Sequence, residues 1–314
     1  MLVLRHPPAR AARPVALTIG NFDGVHLGHQ AMIARLLRAA REHGIVSCVM
    51  TFEPHPREFF APDQAPTRLT SLREKLELLA GLGVEQVLVC RFDYELARVP
   101  AEEFIERILV ASLGVRWLLV GDDFRFGARR LGDFDLLAAA GHARGFEVER
   151  MASFSVGGVR VSSTAVRERL AAGELDAAAA LLGRPYSISG RVVRGEKLGA
   201  AIGFPTANVQ LQHNRPPVMG IFAVDVTGPA PQPLAGAASL GVRPTVSSAG
   251  PPVLEVHLFD FDRDIYGTRV QVRFFKKLRD EQKYPDLAAL TAAIARDVTD
   301  ARAYFRRKEL RING

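Results

Sequence analysis

The 314-residue sequence has little of what would mark it as secreted, membrane-spanning or built on a metal cluster. Its two cysteines, Cys48 and Cys90, cannot make a disulfide framework or a multi-cysteine metal site. No apolar run reaches the ~18 residues that a membrane-spanning helix needs. The opening segment, MLVLRHPPARAARP, has four apolar residues before Arg5, too few for a signal-peptide core. These absences lead us to expect a soluble, cytoplasmic protein with no membrane partner. There are six lysines against 35 arginines. A GC-rich genome produces that bias, so arginine abundance alone does not indicate a phosphate site. No G-x-x-x-x-G-K-[ST] phosphate loop, internal repeat or low-complexity tract occurs.

What is present is ordinary in amount and uneven in distribution. Hydrophobic residues are 48% and charged residues 24% of the chain, which excludes bulk disorder. The length suggests two domains with ample core. Residues 1–183 carry 22 basic and 22 acidic side chains, whereas 184–314 carry 19 and 12, so the whole excess of +7 sits in the C-terminal part. Such a balance suits anionic ligands there, nucleotides or nucleic acid.

The first half alternates strand-like and helix-like segments. Strands are predicted at 15–20, 45–52, 84–92 and 116–121, with helices at 29–44, from the Ser71–Glu74 capping box to Gly81 or Gly83, and at 101–114. This rhythm predicts a doubly wound parallel sheet with ligands at the carboxyl ends of its strands. Both cysteines fall on buried strands and read as core packing. The pattern changes after an Ala-rich helix at 174–182, so the boundary is placed between domains 1–183 and 184–314. The strand-like runs 221–226, 253–261 and 268–278, separated by Pro/Gly turns, predict a small all-β sandwich or barrel. A helix follows at 286–307.

GNFDGVHLGHQ (20–30) joins the first strand to the first helix. His26 and His29 share one face of a helical turn at a helix N-terminus, where unpaired N–H groups favour anions. Gly20, Gly24 and Gly28 allow close backbone approach, with Phe22 and Asp23 between them. Two imidazoles and several amides could stabilise charge developing on phosphorus. The helix terminus lowers an imidazole pKa and a bound triphosphate raises it. The G-x-F-D-G-x-H-x-G-H pattern resembles the nucleotidylyltransferase superfamily, whose H-x-G-H motif binds ATP and catalyses nucleotidyl transfer. VSSTAVRERL (161–170) places Ser162, Ser163 and Thr164 at a helix start and Arg167 one turn on, a set able to hold a triphosphate or simply to cap the helix. It resembles the superfamily's second signature, I-S-S-T-x-I-R.

Two further loops follow predicted strands. TFEPHP (51–56) contains Phe52, Pro54, His55 and Pro56, and GDDFRFG (121–127) contains Asp122, Asp123, Phe124 and Phe126. Aromatics at a strand end can stack on a planar ring or pack inward. Both loops resemble the adenylyltransferase module of prokaryotic bifunctional flavin-cofactor enzymes. That resemblance implies flavin contacts at Phe52, Pro54, His55, Pro56, Phe124 and Phe126, with Asp123 and Asp122 in supporting polar roles.

In the second half, GRVVRGEKLGAAIGFPTAN (190–208) is either a β-hairpin with a Pro turn or a phosphate-binding loop, with Thr206 and Asn208 as oxygen donors to Mg²⁺. It resembles the riboflavin kinase pattern G-x-V-x-x-G-x-x-x-G-R-x-x-G-F-P-T-A-N, which implies ATP contacts at Gly199, Gly203, Thr206 and Asn208. Ala200, after Lys197, stands where that family carries Arg. In VLEVHLFDF (253–261), strand alternation puts Glu255, His257 and Phe259 opposite Leu254, Val256 and Leu258. The segment resembles the kinase's E-V-H-L-L-D-F, whose glutamate is the base, and that role is carried to Glu255. SLGVRPTV (239–246) resembles N-I-G-x-R-P-T-F, with Ser239 for Asn and Val246 for Phe. LRDEQKYPDLAAL (278–290) resembles the family's loop and last helix near the flavin, and implies a flavin contact for Arg279.

Together these motifs cover about residues 14–308 and resemble the bifunctional riboflavin kinase/FAD synthetase family. The resemblance implies a nucleotidylyltransferase-like N-terminal domain, a C-terminal barrel with a terminal helix, and two Mg²⁺- and ATP-dependent steps. Riboflavin would become FMN, and FMN would become FAD. His26, His29 and Glu255 would carry the chemistry. Three other readings stand beside this one: an adenylyltransferase for another small phosphate or carboxylate, a nucleic-acid-binding module, and a purely structural protein. The basic residues lack the regular aromatic interleaving of a single-strand platform, which argues against nucleic acid. The oligomeric state is not encoded in any motif.

Overall fold

Strand Val15–Ile19 is buried along its whole length, and its neighbours are nearly so. A strand of that kind must be covered on both faces. The structure, a computed structural model, describes residues 1–195, 198–212, 215–242 and 252–313. It divides into two compact units, Met1–Pro66 with Leu72–Ser162, and Thr67–Ser71 with Ser163–Gly314.

The first unit contains strands β1 (Leu2–Leu4), β2 (Val15–Ile19), β3 (Val46–Glu53), β4 (Gln86–Arg91), β5 (Val115–Gly121) and β6 (Glu147–Met151). All pair in parallel in the order β1-β4-β3-β2-β5-β6. Alternate residues feed two cores. Leu17, Cys48, Met50, Cys90 and Leu118 face one side, with Phe104, Ile105 and Ile108, and Ala16, Val49, Val87, Trp117 and Leu119 face the other, with Ile33 and Leu36. The expected doubly wound sheet is therefore present. Burial pushes both cysteine thiols up to about 12, so neither is a nucleophile at neutral pH.

Several elements differ from expectation. Leu2–Leu4 is an edge strand, its register set by β4. The segment expected as one helix is α-helical at Ala101–Glu103 and a π-helix over Phe104–Ser112. Its buried residues, Phe104, Ile105, Ile108, Leu109 and Ser112, recur every four positions along one face. A two-stranded ribbon, β7 (Ser155–Val156) and β8 (Val159–Arg160), ends this unit's structure.

The helix Leu27–His43 is held by Arg35, which donates to both carboxylate oxygens of Glu149 at 2.9 and 2.6 Å and lies over the Trp117 ring at 4.8 Å. Gly44, with φ 64°, ends it in a left-handed cap.

In the second unit, β9 (Tyr186–Val193), β10 (Ala207–Val209), β11 (Gly220–Thr227), β12 (Leu234–Val242), β13 (Pro252–Leu258) and β14 (Arg269–Arg279) close a barrel, all antiparallel, in the order β10-β13-β12-β11-β14-β9. The barrel, rather than a sandwich, is filled by Ile188, Phe222, Val224, Leu240, Leu254, Val256, Val272 and Phe274. The terminal helix Leu287–Asn313 packs outside, where Ala223 and Ala237 leave room for Ala301 and Phe259. The helices Ser163–Ala171 and Leu175–Leu182 belong to this unit by packing, since Leu175–Leu182 lies against β9 and β14. The compact division therefore falls at Ser162/Ser163, earlier than the change in sequence pattern at 183/184. Among the described residues no helix is long and apolar enough to cross a membrane.

Candidate active sites

The strand order reverses direction at β2, whose neighbours β3 and β5 lead to opposite edges of the sheet. Ligands in such sheets bind at that switch point, beyond the strands' carboxyl ends. The turn that leaves β2 carries both histidines. Phe22 (φ 49°), Gly24 (φ 82°) and Val25 (φ 40°) are all left-handed. For Phe and Val this conformation is strained. It persists because both side chains are clamped in the core at 1% exposure. Core packing thus sets the path of the turn.

His26 is the N-cap of the Leu27–His43 helix, and its Nδ1 accepts the His29 N–H at 3.3 Å. On the assignment this bond implies, neutral His26 carries its proton on Nε2 and offers it as a donor. The two imidazoles stack at 3.6 Å with 14° between their planes, and Phe22 lies 5.0 Å from His29. His29 Nδ1 and Asn21 Oδ1 are buried and have no hydrogen-bond partner among the described residues. Orphaned buried polar atoms cost about 1–3 kcal/mol each, and two in one turn mark a place where polarity is held for a ligand. The first helical turn carries no acidic residue to neutralise its positive end. The turn can therefore receive an anion.

Burial first, then the charge of His26, then that of Lys75 hold the His29 pKa well below 6.5. A histidine of this kind binds fewer protons folded than unfolded. Its contribution to stability is whole above pH 6.5 and is lost as the pH falls from 6.5 toward the folded value. Trp117, the single tryptophan, is 2% exposed and reports on the first unit. Denaturation followed by Trp117 fluorescence should require less urea below pH 6.5, with a slope bounded by about 1.4 kcal/mol per pH unit for one site. His29→Gln should flatten the slope; an unaltered slope would place the acid sensitivity on other groups.

The other first-unit loops lie at neighbouring strand ends. After β3 comes the cis peptide Glu53–Pro54. His55 then caps the short helix Pro56–Phe60, its Nδ1 accepting the Arg57 N–H at 3.0 Å while Glu58 accepts the His55 N–H at 3.2 Å. Phe52 is half-buried, edge-on to Phe92. After β5, Asp122 accepts from Ser153 at 2.7 Å, and this bond is the main cause holding its carboxyl below the usual range; Asp123 is exposed, 3.5 Å from Arg160. Phe124 is half-buried and stacks on Phe126 at 5.7 Å. Phe126 itself is 7% exposed and turned against Phe104, so packing, one of the two roles left open for it, is the one it has here. Phe60 and Tyr94, at 65% and 67% exposure, are the aromatics this region presents to solvent, clustered around Phe59. Their signal was an aromatic on a short polar helix, where no core requires one.

Ser162 closes the first unit, and Ser163, Thr164 and Arg167 start the second. Arg167 donates to the Thr67 carbonyl at 2.5 Å.

In the barrel, register places Glu255 of β13 opposite Asn208 of β10 on one side and Ser239 of β12 on the other. Opposed Cβ atoms in antiparallel strands lie about 4.5–5.5 Å apart, so the three side chains form one row. Leu254, Val256 and Leu258 point inward as expected, and Glu255 and His257 are half-buried outside. Phe259 is buried, under the terminal helix. His257 Nδ1 lies 2.9 Å from the Pro205 carbonyl, bracing the turn before Thr206. Ser239 donates to Glu281 Oε1 at 3.2 Å.

A Cβ on Gly199 would strike the Phe204 carbonyl and come within 3.2 Å of Thr206 Oγ1, so this turn needs glycine. Gly203 has φ 86°. Ala200 is exposed. Arg279 is held by Asp297 of the terminal helix through two hydrogen bonds of 2.8 and 2.6 Å, and that bonding is the main cause raising its pKa. Its charge already has a partner. Lys197 and motif positions 243–246 lie outside the described residues.

Comparisons with known proteins match a different family to each part of the chain. The FAD synthetase family profile matches residues 9–165 and the riboflavin kinase profile residues 182–305. The bifunctional riboflavin kinase/FMN adenylyltransferase of Escherichia coli strain K12 is 52% identical over 289 residues, covering 92% of each chain. That of Pseudomonas fluorescens is 51% identical over 293 residues, 93% of each. A solved structure described as a macrolide-efflux protein from Streptococcus pneumoniae superposes with TM-score 0.81 at 27% identity, over 95% of this chain and 97% of that one.

Proposed function

Because this chain belongs to the family of bifunctional riboflavin kinase/FMN adenylyltransferases, we propose that the histidine turn and the Asn208–Glu255–Ser239 row are the places where its two reactions occur. One activity phosphorylates riboflavin with ATP to give FMN; the other joins FMN to the AMP part of ATP, releasing pyrophosphate and giving FAD. The observation that carries the site assignment is the stacked imidazole pair at a helix N-terminus, on the sheet's switch point, beside two orphaned buried polar atoms.

For adenylyl transfer, an oxygen of the FMN phosphate attacks the α-phosphorus as the bond to the β-phosphate oxygen breaks. Negative charge grows on the departing pyrophosphate. Nε2–H of His26, the neutral His29 ring and the open N–H groups of the helix end offer donors to it without a covalent intermediate. Ser162, Ser163, Thr164 and Arg167 are proposed as further phosphate contacts. Phe124, with exposed Phe60 and Tyr94, supplies aromatic surface for the flavin, while Phe126 supports Phe124 from beneath.

For the kinase step, Glu255 takes the proton of the ribityl 5′-hydroxyl as that oxygen bonds to the γ-phosphorus and the bond from the γ-phosphorus to the bridging oxygen of ADP breaks, releasing ADP. Asn208 and Ser239 flank it and fix its orientation. Thr206 and Asn208 are hard oxygen donors two residues apart and fit Mg²⁺, which takes its remaining ligands from phosphates and water. Among the described residues no group of three or more His, Cys, Asp or Glu side chains could hold a metal alone, which matches a cation shared with the nucleotide. When bound, Mg²⁺ would neutralise phosphate charge. The turn around Gly199 and Gly203 would approach the phosphates by its backbone. A composition with only two cysteines supports a cytoplasmic enzyme.

Product chromatography after incubation with riboflavin, ATP and Mg²⁺ tests the whole reading. FMN followed by FAD is expected; FMN alone would remove the histidine-turn assignment.

A further inference from the structure

One buried cation stands behind the histidine turn, and no motif contains it. Lys75, on the helix Leu72–Gly81, is 6% exposed. Lysine is almost never so enclosed unless it is paired, because removing an ammonium from water is costly. Its Nζ donates to Thr51 Oγ1 at 3.4 Å. Thr51 lies fully buried on β3, and its hydroxyl donates to the Asn21 carbonyl at 3.2 Å. These contacts run from a helix, through the strand beside β2, to the first residues of the turn. Asn21 is also where a buried side-chain oxygen has no partner among the described residues.

We propose that Lys75 is a positioning residue of the adenylyl-transfer site: through Thr51 it fixes the Asn21 end of the histidine turn, and it places a basic group behind the imidazole pair. The proposal rests on the assignment of adenylyl transfer to that turn.

The physical consequence is twofold. The charges that reach His29 are those of His26, from its own turn, and Lys75, from the Leu72–Gly81 helix; both oppose a proton on it. Asp23 and Glu74 are the buried carboxylates of the same two elements, and among the described residues no carboxylate acts on His29 in the contrary sense. His29 therefore meets ATP neutral. A basic group enclosed at this place also favours the triphosphate, as a preorganised site requires.

The test uses the full chain, with FAD formation from FMN and ATP measured across pH for Lys75→Met and Lys75→Arg. In Lys75→Met, kcat for FAD formation should fall on the order of tenfold or more, and the acid limb of kcat/KM should move to higher pH because one charge opposing His29 protonation is gone. Riboflavin phosphorylation and Trp117 fluorescence should stay as in the parent protein. Lys75→Arg keeps the charge and should keep the acid limb in place. A folded Lys75→Met with parental kcat and acid limb overturns the proposal. If Lys75→Met fails to fold, a displaced acid limb in Lys75→Arg overturns it equally. Full FAD formation in His29→Ala would overturn the site assignment instead, so the two failures are distinguishable.

Discussion

His29→Ala is expected to abolish FAD formation while FMN still accumulates from riboflavin and ATP. The imidazole is stacked on His26, half-buried and held neutral. Removing it deletes the donor proposed for the departing phosphate and takes away the ring on which His26 stacks. Loss of one preorganised donor costs about 10²–10³ in kcat, and the loosened partner adds to that. The helix should survive, because His26 caps through the His29 backbone N–H, which alanine retains. The kinase serves as the internal control: Asn208, Glu255 and Ser239 belong to the other compact unit. The comparison is made on one preparation, with FAD and FMN quantified separately. Simultaneous loss of both products would count against two separate sites.

Glu255→Gln is expected to give the mirror result. The substitution keeps shape and hydrogen bonding but removes the proton acceptor. A positioned base supplies about 10²–10⁴-fold, so kinase turnover should drop within that range while KM for ATP and riboflavin changes little. FAD formation from added FMN should be unaffected. Asn208 and Ser239 keep their places beside it in register, so a large rise in KM would mean that Glu255 holds substrate instead. A parental turnover would return the role to another residue of the row.

The architecture was readable from the chain because strands buried on both faces leave continuous apolar runs, as in IVSCVMTF, whereas the barrel strands alternate, as in VLEVHLFDF. The histidine turn was readable because its spacing must satisfy a helix start. Other features left no local trace. Leu2–Leu4 is too short to show periodicity and is a strand only because β4 offers an edge. Phe124 and Phe126 are chemically alike two residues apart; only the packing against Phe104 turns one inward. The pairing of Arg279 left no local trace either, because Asp297 lies eighteen residues away on the terminal helix. Lys75 is hidden in REKLELL, an ordinary amphipathic helix sequence, until the fold places Thr51 beside it.

The chain passes between its units three times, at 66/67, 71/72 and 162/163, and Arg167 donates to the carbonyl of Thr67, the first residue of the short excursion. A chain cut after residue 162 would therefore leave its downstream piece without Thr67–Ser71, five residues that pack within the same compact unit.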